Sequence, residues 1–119
     1  MIQEKTDQEK IVQKQLEAYN ERDLNKFLSC YTDEIEIFSF DDQVPFITGL
    51  ENLKKIYGEV FENSPNLNAT IKTRIVFDNK IIDEEEVTGK NGTEYLKVIA
   101  IYELKSNLIS KVTFIRENE

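Results

Sequence analysis

The sequence has no histidine and only one cysteine, Cys30, among its 119 residues. Without an imidazole, the chain cannot build Ser-His-Asp or Cys-His nucleophile systems, and it lacks the commonest zinc ligand. Any acid–base chemistry therefore depends on Asp, Glu, Lys, Tyr or water. A single cysteine cannot form an internal disulfide bond, which predicts a reducing, cytoplasmic location.

Glycine is also scarce, with four residues, and the chain contains no G-x-G-x-x-G or G-x-x-x-x-G-K-[ST] run. Such loops hold dinucleotides and nucleotide phosphates, so both kinds of site are excluded. Because metal ligands and nucleotide loops are both missing, we expect no cofactor.

Long apolar runs and an excess of positive charge are absent as well. No apolar run approaches the roughly 18 residues that a membrane helix needs. The start, Met1-Ile2-Gln3-Glu4-Lys5, has no signal-peptide core. Lys and Arg number 15 against 23 Asp and Glu, a formal charge of −8. Anionic membranes and phosphate backbones repel so acidic a chain, so we expect neither a membrane nor nucleic acid as partner.

What is present suffices for one packed domain over residues 1–119. The chain is 39% hydrophobic and has seven Phe and five Tyr, which is typical of a globular core. Thr6 and Glu9 form a capping box ahead of a helix over about residues 7–21, and Thr48 and Glu51 form a second one. The predicted elements, in chain order, are helices over 7–21 and 24–31, a strand over 35–40, a loop over 41–46, a helix that ends by 63, and strands over 68–77, 80–88, 93–104 and 108–116.

This order of elements predicts an α+β fold. Helices that precede an antiparallel run of strands pack in the concave face of a curved, mainly antiparallel sheet. The predicted turns at Asp78-Asn79, at residues 89–92 and at Ser106-Asn107 set the register of the strands. On this register Arg74 lies opposite Asp83, which we interpret as a structural cross-strand pair.

The same register places a row of polar side chains at one end of a sheet face. Lys97 lies opposite both Glu84 and Arg116, with Glu86 and Tyr95 beside them. We assign this face to the concave side of the sheet. A shift of one residue would move each of these side chains to the other face.

The strand Leu96–Tyr102 is apolar on both faces, although a sheet with one wet face would alternate. The helices can cover only one face. We therefore predict a homodimer through the outer sheet face, with a monomer as the alternative.

Four segments carry a resemblance to a known family. They are Leu16–Tyr31 (LEAYNERDLNKFLSCY), Thr32-Asp33-Glu34 before a strand, Ile47-Thr48-Gly49 at the start of a helix, and Ala100-Ile101-Tyr102-Glu103 before a turn. Together they resemble the nuclear transport factor 2-like superfamily, and within it the SnoaL-like and ketosteroid-isomerase-like bacterial proteins. The resemblance implies a cone-shaped α+β barrel with a deep pocket, and dimers. The superfamily includes isomerases, dehydratases, cyclases and non-catalytic domains, so the resemblance leaves the activity open.

The catalytic residues of the isomerases do not carry over to this chain. Alignment places Ser39 where those enzymes have a carboxylate base, Gln15 where they have a tyrosine, and about Ile99 where they have a protonated aspartate. The Asp–His pairs of related dehydratases and cyclases are excluded because histidine is absent. A true ketosteroid isomerase is therefore not expected.

Glu84 is the remaining candidate for a catalytic acid or base on the predicted concave face. The alternative is that Glu84, Lys97 and Arg116 form a solvated row of ion pairs. The other candidate pocket residues are Tyr19, Ser39, Asp41, Tyr57, Glu86, Tyr95, Lys97 and Arg116.

Three functions remain open on the sequence. The first is a cofactor-independent acid–base enzyme, of the isomerase, dehydratase or cyclase type, acting on a small apolar organic molecule. The second is a module that binds such a molecule without converting it, and the third is a dimerisation domain with a vestigial pocket.

Overall fold

A computed structural model describes residues 5–117 and confirms the predicted α+β class. Three helices pack on a curved, mostly antiparallel sheet of six strands. The elements are α1 (Asp7–Glu21), α2 (Leu24–Leu28), β1 (Tyr31–Ser39), β2 (Ile47–Thr48), α3 (Leu50–Asn63), β3 (Asn68–Phe77), β4 (Lys80–Lys90), β5 (Thr93–Lys105) and β6 (Leu108–Arg116).

The first helix begins as predicted. The Thr6 side chain accepts a hydrogen bond of 3.1 Å from the backbone N–H of Glu9, which satisfies one of the free donors of the first turn. The helix ends at Arg22, whose φ of 55° lies in the left-handed region. Between these caps, Val12 and Ala18 are fully buried, so this face of the helix lies against the sheet.

The second predicted capping box is wrong. Helix α3 begins after Gly49, which makes no side-chain capping bond and has a φ of 89°. Thr48 instead belongs to the short strand β2, where it pairs with Glu36 of β1. Because Thr48 is held in the sheet, its hydroxyl does not take the capping position, and glycine makes the sharp turn into the helix.

The sheet has the strand order β2-β1-β6-β5-β4-β3. Strands β1 and β6 run parallel, and the other neighbouring pairs are antiparallel. This parallel pair explains why Tyr31 belongs to a strand and not to the predicted second helix. The N–H of Ile109 donates to the carbonyl of Cys30 at 2.9 Å, which draws this segment into the sheet.

The register of the first hairpin agrees with the prediction from Thr73 to Phe77 and shifts by one residue at Lys72. That of the second hairpin differs from the prediction throughout. Arg74 pairs with Asp83 as expected. Glu84, however, lies opposite Ile99, and Lys97 lies opposite Glu86. The reason is that Lys90 pairs with Thr93 across a tight Asn91-Gly92 turn, which shifts the pairing by two residues.

The last hairpin contains an irregularity that the residue pattern did not predict. Leu104 pairs with Ile109, but Glu103 pairs with Lys111, which leaves Ser110 as an extra residue in β6. Such a β-bulge reverses the faces of the residues that follow it. Arg116 consequently pairs with Val98 and not with Lys97.

The helices cover the sheet face opposite to the predicted one. The buried residues of β4 are Ile81, Asp83, Glu85 and Val87, whereas Glu84 is partly exposed on the outer face. Alternation separates two faces of a strand, but it does not tell which one the helices cover when both carry apolar residues. No helix within residues 5–117 is long and apolar enough to cross a membrane.

Candidate functional site

A small cavity of about 60 Å³ lies between the helices and the covered face of the sheet. It has room for a few water molecules, since one water needs about 10–15 Å³ of such space. Its apolar wall includes Leu16, Val98 and Phe114. The polar side chains that line it are Gln15, Tyr19, Tyr31, Tyr57, Glu85, Lys90, Tyr102 and Arg116.

Glu85 is the only carboxylate among the described residues that line this cavity. It lies in the middle of β4 and is 7% exposed. The Tyr102 hydroxyl, on the neighbouring strand β5, donates a hydrogen bond of 3.1 Å to its carboxylate. Burial, assisted by the negative charge of Asp83, raises the pKa of Glu85 to about 7, against the smaller opposing effects of Tyr102 and Arg74. Glu85 can therefore both accept and return a proton near neutral pH.

The other cavity hydroxyls belong to tyrosines held in an aromatic cluster. The ring of Tyr57 lies 4.9 Å from that of Phe27 and 6.4 Å from that of Tyr19, between centroids. Burial raises the pKa of Tyr57 to about 12, and it also raises the pKa of Tyr19 and of Tyr31 well above the ordinary value of a phenol. These phenols stay neutral at physiological pH, so each keeps an O–H group that can donate a hydrogen bond to a ligand.

Two cations, Lys90 and Arg116, also line the cavity. The Arg116 guanidinium lies over the Phe114 ring at 5.4 Å from its centroid, which is within cation–π range. Burial lowers the pKa of Lys90, and the positive charge of Arg116 adds to this effect. The described residues thus give the cavity one carboxyl group and two positive charges.

The predicted structural pair of Arg74 and Asp83 is confirmed. The guanidinium binds the fully buried Asp83 carboxylate through two hydrogen bonds, of 2.7 and 2.9 Å. Its remaining contacts are with α1: Gln13 accepts a hydrogen bond of 2.9 Å, and Glu9 lies at 3.7 Å. This network attaches α1 to β3 and β4 beside the cavity.

Three of the predicted pocket residues, Tyr19, Tyr57 and Arg116, do line the cavity. Ser39 and Asp41 do not, and they border an open depression on the far side of Phe114 and Arg116.

The remaining candidates lie on the outer sheet face, so their predicted concave position is wrong. Glu84 and Lys97 form a partly exposed ion pair of 3.7 Å, and Glu86 lies 3.9 Å from Lys72. Tyr95 is 52% exposed. Their position was predicted wrongly because the helices cover the other face of the sheet. The contacts of Glu84, Glu86 and Lys97 match the alternative prediction of a solvated row of ion pairs. The catalytic role suggested for Glu84 depended on the concave position, and Glu85 holds that position.

The residue pattern contains a signal for Glu85 that the face assignment missed. Glu85 alternates with Ile81 and Val87, while Glu84 alternates with Glu86 and Thr88. The more apolar set marks the covered face of β4. No residue pattern predicts that Lys90 lines the cavity, because regular strand alternation would place its side chain on the outer face together with Glu84.

The fold and the cavity define a class of cone-shaped α+β proteins, and comparisons with known proteins agree. The family model of the SnoaL-like domain matches residues 12–112. The chain therefore belongs to the SnoaL-like domain family, within the nuclear transport factor 2-like superfamily. No curated protein is significantly similar to this sequence.

Several solved structures share the fold. An uncharacterised cystatin-fold protein from Novosphingobium aromaticivorans is 24% identical, with a TM-score of 0.83 over 95% of this chain and 100% of the other. A proposed ketosteroid isomerase from Kribbella flavida is 16% identical, with a TM-score of 0.77 over 95% and 79% of the two chains. A proposed SnoaL-like polyketide cyclase from Jannaschia is 12% identical, with a TM-score of 0.78 over 98% and 92%.

Proposed function

We propose that this protein is a cofactor-independent acid–base enzyme that moves a proton on a small organic molecule, with Glu85 as the proton acceptor. The observation that carries the proposal is the buried Glu85 carboxyl group in the cavity, with its pKa raised to about 7. Strongly shifted pKa values of cleft residues are typical of functional sites. The names of the structural relatives, an isomerase and a cyclase, point to the same class of chemistry.

The reaction begins at a carbon next to a carbonyl group. The Glu85 carboxylate takes the proton of this carbon, and the electron pair moves onto the carbonyl oxygen as an enolate. The neutral Tyr57 hydroxyl donates a hydrogen bond to that oxygen. The charges of Glu85 and of Arg116 both act on the pKa of Tyr57, which places this hydroxyl near both groups. Where a carbon–carbon double bond adjoins the deprotonated carbon, the electron pair spreads over that bond as a dienolate. Protonated Glu85 then returns the proton to the far carbon of that bond while the electron pair leaves the oxygen, so the double bond moves next to the carbonyl group and the isomerisation is complete.

A non-catalytic binding module is the second candidate, and the size of the cavity favours it. About 60 Å³ is small for an enzyme pocket, which usually measures about 300–1,000 Å³. A large apolar substrate such as a steroid does not fit without movement of the cavity walls. In this case Glu85 and the tyrosines only hold a small ligand.

We also propose that two copies of the chain associate through the outer sheet face. This face differs from the one predicted, because the side chains of Leu96, Val98 and Tyr102 lie under the helices. The outer face still carries a group of isoleucines without cover in the described part of the chain, and an apolar patch of this kind favours association. These isoleucines are Ile75, Ile82, Ile99, Ile101 and Ile115.

A cytoplasmic location remains part of the proposal, on the basis of the single, buried Cys30.

The test is proton exchange at carbon. Acetone, cyclohexanone and pyruvate are incubated with the protein in deuterated buffer at neutral pH, and the loss of their α-protons is followed by NMR. The wild-type protein should accelerate exchange for at least one of them, and Glu85→Gln should lower the accelerated rate by about 100-fold or more.

Glu84→Gln is the matched control, since it changes the neighbouring carboxylate on the outer face. It should leave the exchange rate unchanged. Equal rates for Glu85→Gln and the wild type would refute the role of Glu85, and a loss with Glu84→Gln would restore the prediction made from the sequence. Binding without any exchange would favour the non-catalytic module.

A further inference from the structure

Lys90 and Arg116 line the cavity, and neither has a carboxylate within 4.0 Å in the described part of the chain. Arg116 also borders an open depression that Glu84 and Glu117 line. Within residues 5–117, carboxylates lie within 4.0 Å of Lys26, Lys72, Arg74, Lys97 and Lys111, but of neither Lys90 nor Arg116. Both side chains are partly buried, and the chain has more acidic than basic residues. Two like charges in one cavity of an acidic protein repel each other and lose hydration. An anion that occupies the space between them would remove both costs.

Each cation reaches the cavity through an irregularity of its strand. Strand alternation would place Lys90 on the outer face with Glu84 and Glu86, but the preceding Gly89 has a φ of 74° and Lys90 lines the cavity. The bulge at Ser110 turns Arg116 to the same side. Bulges and left-handed glycines redirect side chains at functional sites, so the two cations are placed by the backbone and not by regular pairing.

The distance between these cations and Glu85 limits the shape of a ligand. Glu85 pairs with Val98, and Val98 pairs with Arg116, so the three residues form one row across β4, β5 and β6. The backbones of Glu85 and Arg116 are therefore roughly 10 Å apart, since neighbouring strands are about 4.8 Å apart. A ligand whose anionic group binds Arg116 keeps that group away from the Glu85 carboxylate. Another carbon atom of the same ligand can then lie next to Glu85.

We propose that Lys90 and Arg116 bind a carboxylate of the substrate, which makes the substrate class a small oxo acid and not a neutral apolar molecule. The inference rests on the proposed function for the role of Glu85, but the carboxylate subsite is independent of catalysis. The planar guanidinium of Arg116 matches a carboxylate through two parallel hydrogen bonds, and Lys90 adds a second charge. The small cavity and the apolar floor at Val98 suit a short carbon skeleton.

Binding of matched acids and amides tests the subsite. Butyrate and benzoate are compared with butyramide and benzamide by NMR titration of the backbone amides. Each carboxylate should bind at least ten times more tightly than its amide, with shifts at residues 85–98 and 114–117. Lys90→Met and Arg116→Gln should each weaken carboxylate binding at least ten-fold and leave the amides unaffected, whereas Arg116→Lys should recover part of the affinity.

Lys97→Met is the control, because it removes a cation of the outer face. Three results would each overturn the proposal: equal binding of acids and amides, no binding of either acid at about 20 mM, or an equal loss of binding with Lys97→Met. Glu85→Gln separates the two proposals, since it should abolish proton exchange and retain carboxylate binding. If Glu85→Gln leaves proton exchange unchanged while the cation variants lose carboxylate binding, the subsite stands and the role of Glu85 falls.

Discussion

Glu85 and Arg116 face the same cavity from two sides of Val98, which pairs with both residues across the sheet. One carries the proton-accepting group and the other a permanent positive charge. Because Val98 separates them, they do not neutralise each other as an ion pair. This arrangement leaves Glu85 with the elevated pKa of a buried carboxyl group and leaves Arg116 available to an anion.

The raised pKa of Glu85 predicts a stability that falls as the pH rises. The folded state holds the proton up to about pH 7, whereas the unfolded carboxyl group loses it near 4.5. The folded state binds more protons between these values, so the free energy of unfolding decreases through this window. The full loss is about 3 kcal/mol, at 1.36 kcal/mol for each pKa unit.

Glu85→Gln removes this dependence. We expect it to have a stability close to that of the wild type at pH 5, and to be more stable by up to about 3 kcal/mol at pH 8. Urea unfolding at the two pH values measures both quantities. A wild-type stability that rises from pH 5 to pH 8 relative to Glu85→Gln would mean that the pKa of Glu85 is not raised.

The buried pair of Asp83 and Arg74 predicts a large effect of a small substitution. Asp83→Asn keeps the shape of the side chain but leaves Arg74 with the more distant Glu9 as its ion-pair partner among residues 5–117. We therefore expect a loss of about 3 kcal/mol in unfolding free energy. The same substitution should lower the pKa of Glu85, because the charge of Asp83 raises it. Chemical denaturation and NMR titration of Glu85 test the two effects.

Glu84→Gln provides the comparison for an exposed pair. It breaks the contact with Lys97, and we expect it to cost less than about 1 kcal/mol. If Asp83→Asn and Glu84→Gln have the same cost, the buried network does not contribute as the structure implies.

Gly89 is required by its backbone and by its surroundings. A Cβ atom at this position would lie 2.0 Å from the carbonyl oxygen of Asn66. We expect Gly89→Ala to cost more than about 2 kcal/mol, from the clash and the left-handed φ together. Gly92→Ala has a similar φ of 85° but nothing within 4 Å, so it should cost only about 1 kcal/mol. Thermal unfolding of the two variants side by side decides the point, and equal melting temperatures would contradict the prediction.

The outer sheet face predicts the oligomeric state. Light scattering should give the wild-type protein a mass twice that of the 13.9 kDa chain. Ile99→Lys should give the monomer, because a charge in an apolar interface is costly. Ile56→Lys is the control, because Ile56 lies on α3 and is 38% exposed, close to the 36% of Ile99. This variant should remain dimeric. A monomeric wild type would exclude this interface.

Local features of the sequence are sufficient to predict most of the elements. Thr6 with Glu9, and the Ser106-Asn107 turn with φ values of 53° and 63°, act on their own neighbours in the chain, so the pattern of residue types reveals them. The same holds for Arg74 and Asp83, which are paired by a two-residue turn. The α+β class, the order of the strands within the hairpins and the places of Tyr19 and Tyr57 in the cavity followed from such signals.

The site itself depends on the tertiary structure. Both faces of β5 are apolar, so this strand does not tell which face the helices cover, and the signal in β4 is small. Packing with the helices decides that Glu85 is inside and Glu84 outside. The bulge at Ser110 and the left-handed Gly89 interrupt the alternation on which face assignment rests, and they bring Arg116 and Lys90 into the cavity. Alternation of residue types describes a regular strand, and the two cations of the site lie where the strands are irregular.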